Sequence, residues 1–352
     1  MKTLLIITGA GASNDLLLNK YKTNPLYKPP LTKHLFNPEY EDNRNPNDTW
    51  IKKCLDLYPL AAQVGDEYSE ENALEKYLIS LKQGNALEKN RYFETVKYIQ
   101  HLFEEISIKY VTTNTGLPSN YLSMINIIAK SKYNNLVWIN MNYDLFADYA
   151  LDATCQERIK DINSYTNLQL QTGLLVKYIK PHGSVNWWRR NINQDQKTIM
   201  TIRDNIKRGV YPEGFESTYF SKDISIVLRK NIYGTTIPSN CIWFPALIAP
   251  IGEYSFICPE HVEKAIPDLK NTTDLLCIGF NALDKDILAL IKENVFKISK
   301  LLLVNGGQDY AKAALKRLRD YNINILQDDN SVIYHHGFSD LVKKDLSNWL
   351  RT

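Results

Sequence analysis

The sequence has no C-x-x-C pair, and its five cysteines (Cys54, Cys155, Cys241, Cys258, Cys277) are odd in number and widely spaced. That excludes a zinc ribbon or a disulfide framework as the organising element. Long apolar runs are missing as well. The first, LLIIT at residues 4–8, is too short for a signal-peptide core and far too short to span a bilayer, so the chain is expected in the cytoplasm with no membrane partner. Neither sign of charge dominates. A formal net charge of +3, with Lys and Arg interspersed among Asp and Glu, argues against a nucleic-acid groove or an anionic membrane surface. The densest basic cluster, KRLRD at 316–320, reads as the solvated face of a helix. Internal repeats and low-complexity tracts are absent.

What is present is the composition of an ordinary folded protein, 44% hydrophobic and 23% charged over 352 residues, long enough for one large α/β domain or two smaller ones. Apolar runs at LLIIT, NLVWIN (135–140), LLVKYIK (174–180), CIWFPALIAP (241–250), DLLCIGF (274–280), KLLLVNGG (300–307) and NINIL (322–326) read as strands. Several alternate with amphipathic stretches such as DKDILALIKENVFKI and DYAKAALKRLRDY. Continuous apolar strands joined by crossover helices predict an α/β, Rossmann-like, doubly wound parallel sheet. One domain is expected over 1–352, with a helical insertion at 49–132 and an irregular insertion at 189–240. The Pro-, Asn- and Tyr-rich stretch 21–48 is a lid candidate.

Chemistry concentrates where strands end. TGAGAS at 8–13 follows the first strand, and its small residues let backbone N–H groups and a helix N-terminus approach a phosphate. Asn14 stands where a full G-x-G-x-x-G would have its third glycine, so a merely tight strand-helix turn is the other reading. NMNYDL sets Asn142 and Asp144 at the carboxyl end of the NLVWIN strand, with helix capping as the alternative role for Asp144. In YIKPHGSVNWW (178–188) a strand ends in Pro-His-Gly, which is either a turn or a site. Gly279, Asn281, Asn305 and Gly306 begin loops after later strands in the same way.

GAGAS, MNYDL, KPHGSVNW, IGFNALDKDI and LVNGG, in that order, resemble the sirtuin (silent-information-regulator) superfamily, and in particular its bacterial branch of NAD-hydrolysing antiphage effectors. The likeness runs along the core strands from end to end and leaves out the two insertions. It implies NAD as substrate and no metal. It also implies that Gly9, Ala10, Gly11 and Ser13 line the pyrophosphate, with Gly183 and Ser184 among the nucleotide contacts. Gly279 and Phe280 match a later nucleotide loop, and Asn305 a position near the adenosine ribose. The matched catalytic residues are Asn142, which positions water and the nicotinamide ribose, Asp144 beside the nicotinamide pocket, and His182. Two departures stand out: Met141 replaces the family's glutamine, and the four-cysteine zinc module of the deacylases is missing.

Cleavage of the nicotinamide glycosidic bond builds an oxocarbenium-like ribose, which calls for a held sugar, an aligned water and a base. Nicotinamide leaves neutral, so a strong general acid is not required. NAD hydrolysis to ADP-ribose and nicotinamide is therefore the expected activity. Protein deacylation or ADP-ribosyl transfer is the alternative on the same fold, and a non-catalytic NAD- or ADP-ribose-sensing subunit is the alternative from another class. The resemblance further implies restraint by homo-oligomerisation or by a partner such as a HerA-like ATPase or a short Argonaute.

Overall fold

The computed structural model describes residues 2–15, 29–30, 35, 73–114, 119–191, 201, 205, 225–228, 242–247, 256–326 and 332–351. The lid candidate at 21–48 lies outside them except for residues 29, 30 and 35. So do residues 49–72 and most of 192–240. Contact density divides the chain into two compact units: residues 1–29, 107–182 and 252–352, and residues 30–106 and 183–251.

The first unit holds a seven-stranded sheet. Its strands are β1 (Thr3–Thr8), β2 (Asn135–Asn140), β3 (Leu168–Gln169) and β4 (Leu175–Ile179), and, after three strands of the other unit, β8 (Thr272–Ile278), β9 (Lys300–Val304) and β10 (Ile333–Tyr334). The order is β10-β9-β8-β1-β2-β4-β3, parallel throughout except for the short β3–β4 pair. Every residue of β1 and of β2 is buried, which is why these central strands read as unbroken apolar runs. One sheet face carries Leu5, Ile7, Val137, Ile139, Leu275, Cys277, Leu301 and Leu303. It shares a core with residues of the helices Pro259–Leu269, Lys285–Asn294 and Gln308–Asp320. The alternate residues face the other way, where the Trp138 ring lies 5.9 Å from Tyr121 of the helix Ser119–Ile128, and Tyr121 meets Phe338. With helices on both faces, the fold is a doubly wound, Rossmann-like α/β sheet. KRLRD falls in the last turns of Gln308–Asp320, with Lys316, Arg319 and Asp320 exposed and Leu318 buried.

The second unit contains β5 (Gly183–Asn191), β6 (Ser225–Leu228) and β7 (Ile242–Leu247) in an antiparallel sheet of order β6-β5-β7. It also contains the helix Ala73–Gln83 and residues 86–106 of the helix Ala86–Asn114. Two strand expectations are corrected. CIWFPALIAP does not join the parallel sheet: Pro245, which has no N–H to donate, sits in β7 at the edge of the antiparallel one. NINIL makes only an isolated bridge between Ile298 and Ile325, because Asn322 takes a φ of 61° that ends the preceding helix and breaks an extended run. The outermost parallel strand is Ile333–Tyr334 instead.

Candidate functional site

Parallel strands bring their carboxyl ends to one edge, so the segments after β1, β2, β4, β8 and β9 emerge together. β1 pairs with β2 on one side and β8 on the other, so the chain reverses its direction of travel across the sheet at β1. In open α/β sheets such a switch point is where ligands bind.

After β1 the loop is a single residue, Gly9, and the helix Ala10–Asn14 starts at once. Gly11 and Ser13 therefore lie within a helical turn rather than in an extended loop. The glycines are packed backbone to backbone: a Cβ on Gly9 would come 2.4 Å from the Gly279 carbonyl oxygen, and one on Gly11 2.9 Å from the Gly279 Cα. Gly279 itself takes a φ of 59°, so all three glycines join the β1 and β8 loops at the switch point. Ala10 is partly exposed at the rim.

Asn142 is buried, and its side-chain amide donates to the Gly9 carbonyl and to Ser13 Oγ, 3.0 Å each, and lies 3.3 Å from Tyr121 Oη. With its hydrogens so engaged, Oδ1 is the atom left to orient a water or a sugar hydroxyl. Met141 ties its N–H to the Thr8 carbonyl at 2.8 Å and packs on the core. Asp144 accepts from the Phe146 N–H at 3.1 Å, a turn-type bond at the start of the helix Phe146–Thr154. Its other oxygen, Oδ2, is buried and makes no geometric hydrogen bond among the described residues. Burial pushes the Asp144 carboxyl up to about 6 against the pull of the Lys180 ammonium, the Ser13 hydroxyl and the Phe146 amide.

His182 follows β4 by three residues. Its neighbour Pro181 is held through a carbonyl that accepts from the Ile257 N–H at 2.9 Å, and Gly183 supplies the positive φ of 83° that ends the turn. The imidazole is nine-tenths buried and 6.4 Å from the Tyr143 ring, centroid to centroid. Its Nε2 lies 2.9 Å from Asp284 Oδ2, and its Nδ1 is buried with no hydrogen-bond partner among the described residues.

Beneath these loops runs a polar network with no orphan atom. Lys180 Nζ donates to Asp148 Oδ2 at 2.9 Å and to the Asp144 carbonyl at 2.7 Å, while Tyr165 and Tyr178 also donate to Asp148. Asn140 donates to Tyr178, and its Oδ1 accepts from Thr8 Oγ1 and from the Asn142 N–H. The loop bearing Asn142 and Asp144 is thus pinned from below.

The remaining expected residues are distributed unevenly. Asn305 is buried after β9, its N–H on the Tyr334 carbonyl and its own carbonyl accepting from Gly337. Phe280 buries its ring in the core, leaving only its backbone for the site edge. Gly183 and Ser184 open β5, in the second unit. Sequence reasoning did not single out Asp284, Lys180 or Asp148. Asp284 had a readable signal, an aspartate opening a helix after a strand, and so had Lys180, a lysine within an apolar strand run. Among the described residues, no three His, Cys, Asp or Glu side chains gather as a metal centre would require, and no helix is long and apolar enough to cross a membrane.

No protein-family model and no curated protein matches the chain. Solved structures that match include Sir2 homologues. One, in complex with NAD, is 11% identical with a TM-score of 0.36, covering 91% of this chain and 89% of its own. Another, a variant with 2'-O-acetyl ADP-ribose, is 12% identical with a TM-score of 0.35, covering 91% and 92%.

Proposed function

We propose that this chain hydrolyses NAD+ to ADP-ribose and nicotinamide. The observation that carries the reading is geometric. Asn142 and His182 emerge after two neighbouring parallel strands, β2 and β4, beside the switch point, and the histidine keeps a buried, unpartnered ring nitrogen. The ordered strand-end motifs GAGAS, MNYDL and KPHGSVNW support NAD as the substrate.

In this reading the bond from the ribose C1' to the nicotinamide nitrogen breaks, and nicotinamide takes the bonding pair and leaves uncharged. Water, oriented by Asn142 Oδ1, attacks C1', and His182 removes its proton, which passes to solvent. Asp144, whose carboxyl is raised toward neutrality, faces the uncharged leaving group better than an ordinary carboxylate would. Nothing in that sequence of steps needs a metal. The missing four-cysteine module favours water over an acyl-lysine as acceptor. On the same reading the enzyme is the NAD-depleting effector of a bacterial antiphage system, restrained by self-association or by a partner subunit.

Incubation of the purified chain with NAD+, alone and with candidate partner subunits, followed by chromatographic resolution of nicotinamide and ADP-ribose, tests the proposal. Stoichiometric release of both without peptide is the expected result. Release that requires an acetyl-lysine peptide points to the deacylase, and binding without release under every condition points to a sensor.

A further inference from the structure

We propose that Asp284 is the positioning residue of His182: its carboxylate fixes the imidazole as the Nε2–H tautomer and leaves Nδ1 as the nitrogen that accepts a proton. The inference rests on the reading of His182 as a base.

Asp284 does two jobs with two oxygens. Oδ1 accepts from the Ile287 N–H at 2.9 Å and so caps the helix Lys285–Asn294, and Oδ2 faces His182 Nε2 at 2.9 Å. The cap fixes the carboxylate, so the second oxygen cannot follow the ring if the ring turns. Burial alone would raise the Asp284 carboxyl, but the hydrogen bond and charge of His182, with the Ile287 and Asp286 amides, more than offset this and hold it below its usual value. An ionised carboxylate only accepts, so the ring nitrogen facing it carries the hydrogen. In a neutral imidazole the other nitrogen is then a bare lone pair. That nitrogen is Nδ1, which is buried and unpartnered. Leaving such an atom unsatisfied costs on the order of 1–3 kcal/mol, a cost expected of an atom kept for a substrate. His182 and Asp284 lie in loops after β4 and β8, which are separated in the sheet by β2 and β1, so the pair spans the switch point.

Capping and tautomer control can be separated. Asp284→Asn keeps a cap oxygen, but its amide nitrogen, placed at Nε2, donates and forces the hydrogen onto Nδ1. We expect kcat for NAD cleavage to fall about 10²- to 10⁴-fold, the range for losing general-base help, with KM and melting temperature little changed. Nitrogen-15 NMR of histidine-labelled protein, with His182→Ala assigning the signal among the six histidines, should show the Nε2–H pattern in the wild type and Nδ1–H in Asp284→Asn. Asp284→Ser, which still caps but does not reach the ring, serves if the Asn variant does not fold, and should lose the fixed tautomer. A wild-type Nδ1–H pattern, or an unchanged tautomer in the variants, overturns the proposal, as does full kcat in a folded variant. The spectra need no turnover, so an inactive wild type with the expected tautomers would fault the hydrolase reading alone.

Discussion

Two polar clusters lie within a few residues of each other and are built on opposite terms. Around Lys180 and Asp148 every buried group has a partner: an ammonium, a carboxylate, two phenols and an amide close on one another. Around His182 and Asp144 the side chains are buried too, yet each keeps one atom without a hydrogen-bond partner among the described residues. A closed network fixes the shape of a core, and an open one is a cost that only a ligand or a reaction repays. On the proposed function the lower cluster is scaffold, and the upper one is the site it supports.

The most direct way to break this division is at His182. His182→Ala should lower NAD cleavage by about 10²- to 10⁴-fold while leaving thermal unfolding nearly unchanged, since among the described residues the ring's polar partner is one carboxylate that the Ile287 amide also holds. Near-normal turnover by the folded variant would return Pro-His-Gly to the status of a turn. Lys180→Met tests the other side. It removes one partner of a buried pair and strands the Asp148 carboxylate, so denaturant unfolding should show a loss of about 3–5 kcal/mol. If activity were lost with stability intact, Lys180 would belong to the site rather than to its support.

The same division explains what the sequence made legible. Strands buried on both faces need apolar residues at every position, so Thr3–Thr8 and Asn135–Asn140 stood out as unbroken runs and fixed where their loops begin. His182 and Asn142 were visible because a polar residue directly after such a run has a fixed address at the sheet edge. The scaffold network was not visible, because pairing among Lys180, Asp148, Tyr165 and Tyr178 depends on how the segments from β4, the helix Phe146–Thr154 and the turn Ile162–Thr166 meet. Asp284 was hidden for a related reason: an aspartate before a helix is accounted for by capping, and its second oxygen declares itself only in three dimensions. The second unit was legible in outline alone, since a run such as CIWFPAL carries no mark of which sheet it will join.

Asp144 sharpens the contrast through pH. Its carboxyl titrates near 6 in the folded protein against 3.8 for an ordinary one, so between those values the native state binds more protons than the unfolded chain. Stability from this group is therefore full below about pH 4 and lost as pH rises through 6. At about 1.4 kcal/mol per pKa unit the total is about 3 kcal/mol. Asp144→Asn cannot ionise, so the wild-type-minus-variant difference in unfolding free energy should fall across that window and level off above it. A flat difference would mean that Asp144 is solvated or paired, and that the upper cluster has one open atom instead of two.

The glycines at the switch point give the smallest effect and the finest test of which side of the division they serve. A Cβ on Gly9 meets the Gly279 carbonyl oxygen at 2.4 Å, a distance that only a shift of one loop relieves, and backbone yields less readily than a side-chain end. Gly9→Ala should therefore cost about 1–3 kcal/mol, the range for overpacking a tight contact, and Gly11→Ala less, since its Cβ would stand 2.9 Å from the Gly279 Cα. If the glycines serve only to join the two loops, unfolding free energy drops while KM for NAD+ holds in the fraction that remains folded. If they let the backbone approach a pyrophosphate, KM rises in both variants out of proportion to the stability lost, and most in Gly11→Ala, where the packing conflict is milder. Titration of each variant with ADP-ribose, beside its denaturant curve, separates the two outcomes without requiring turnover.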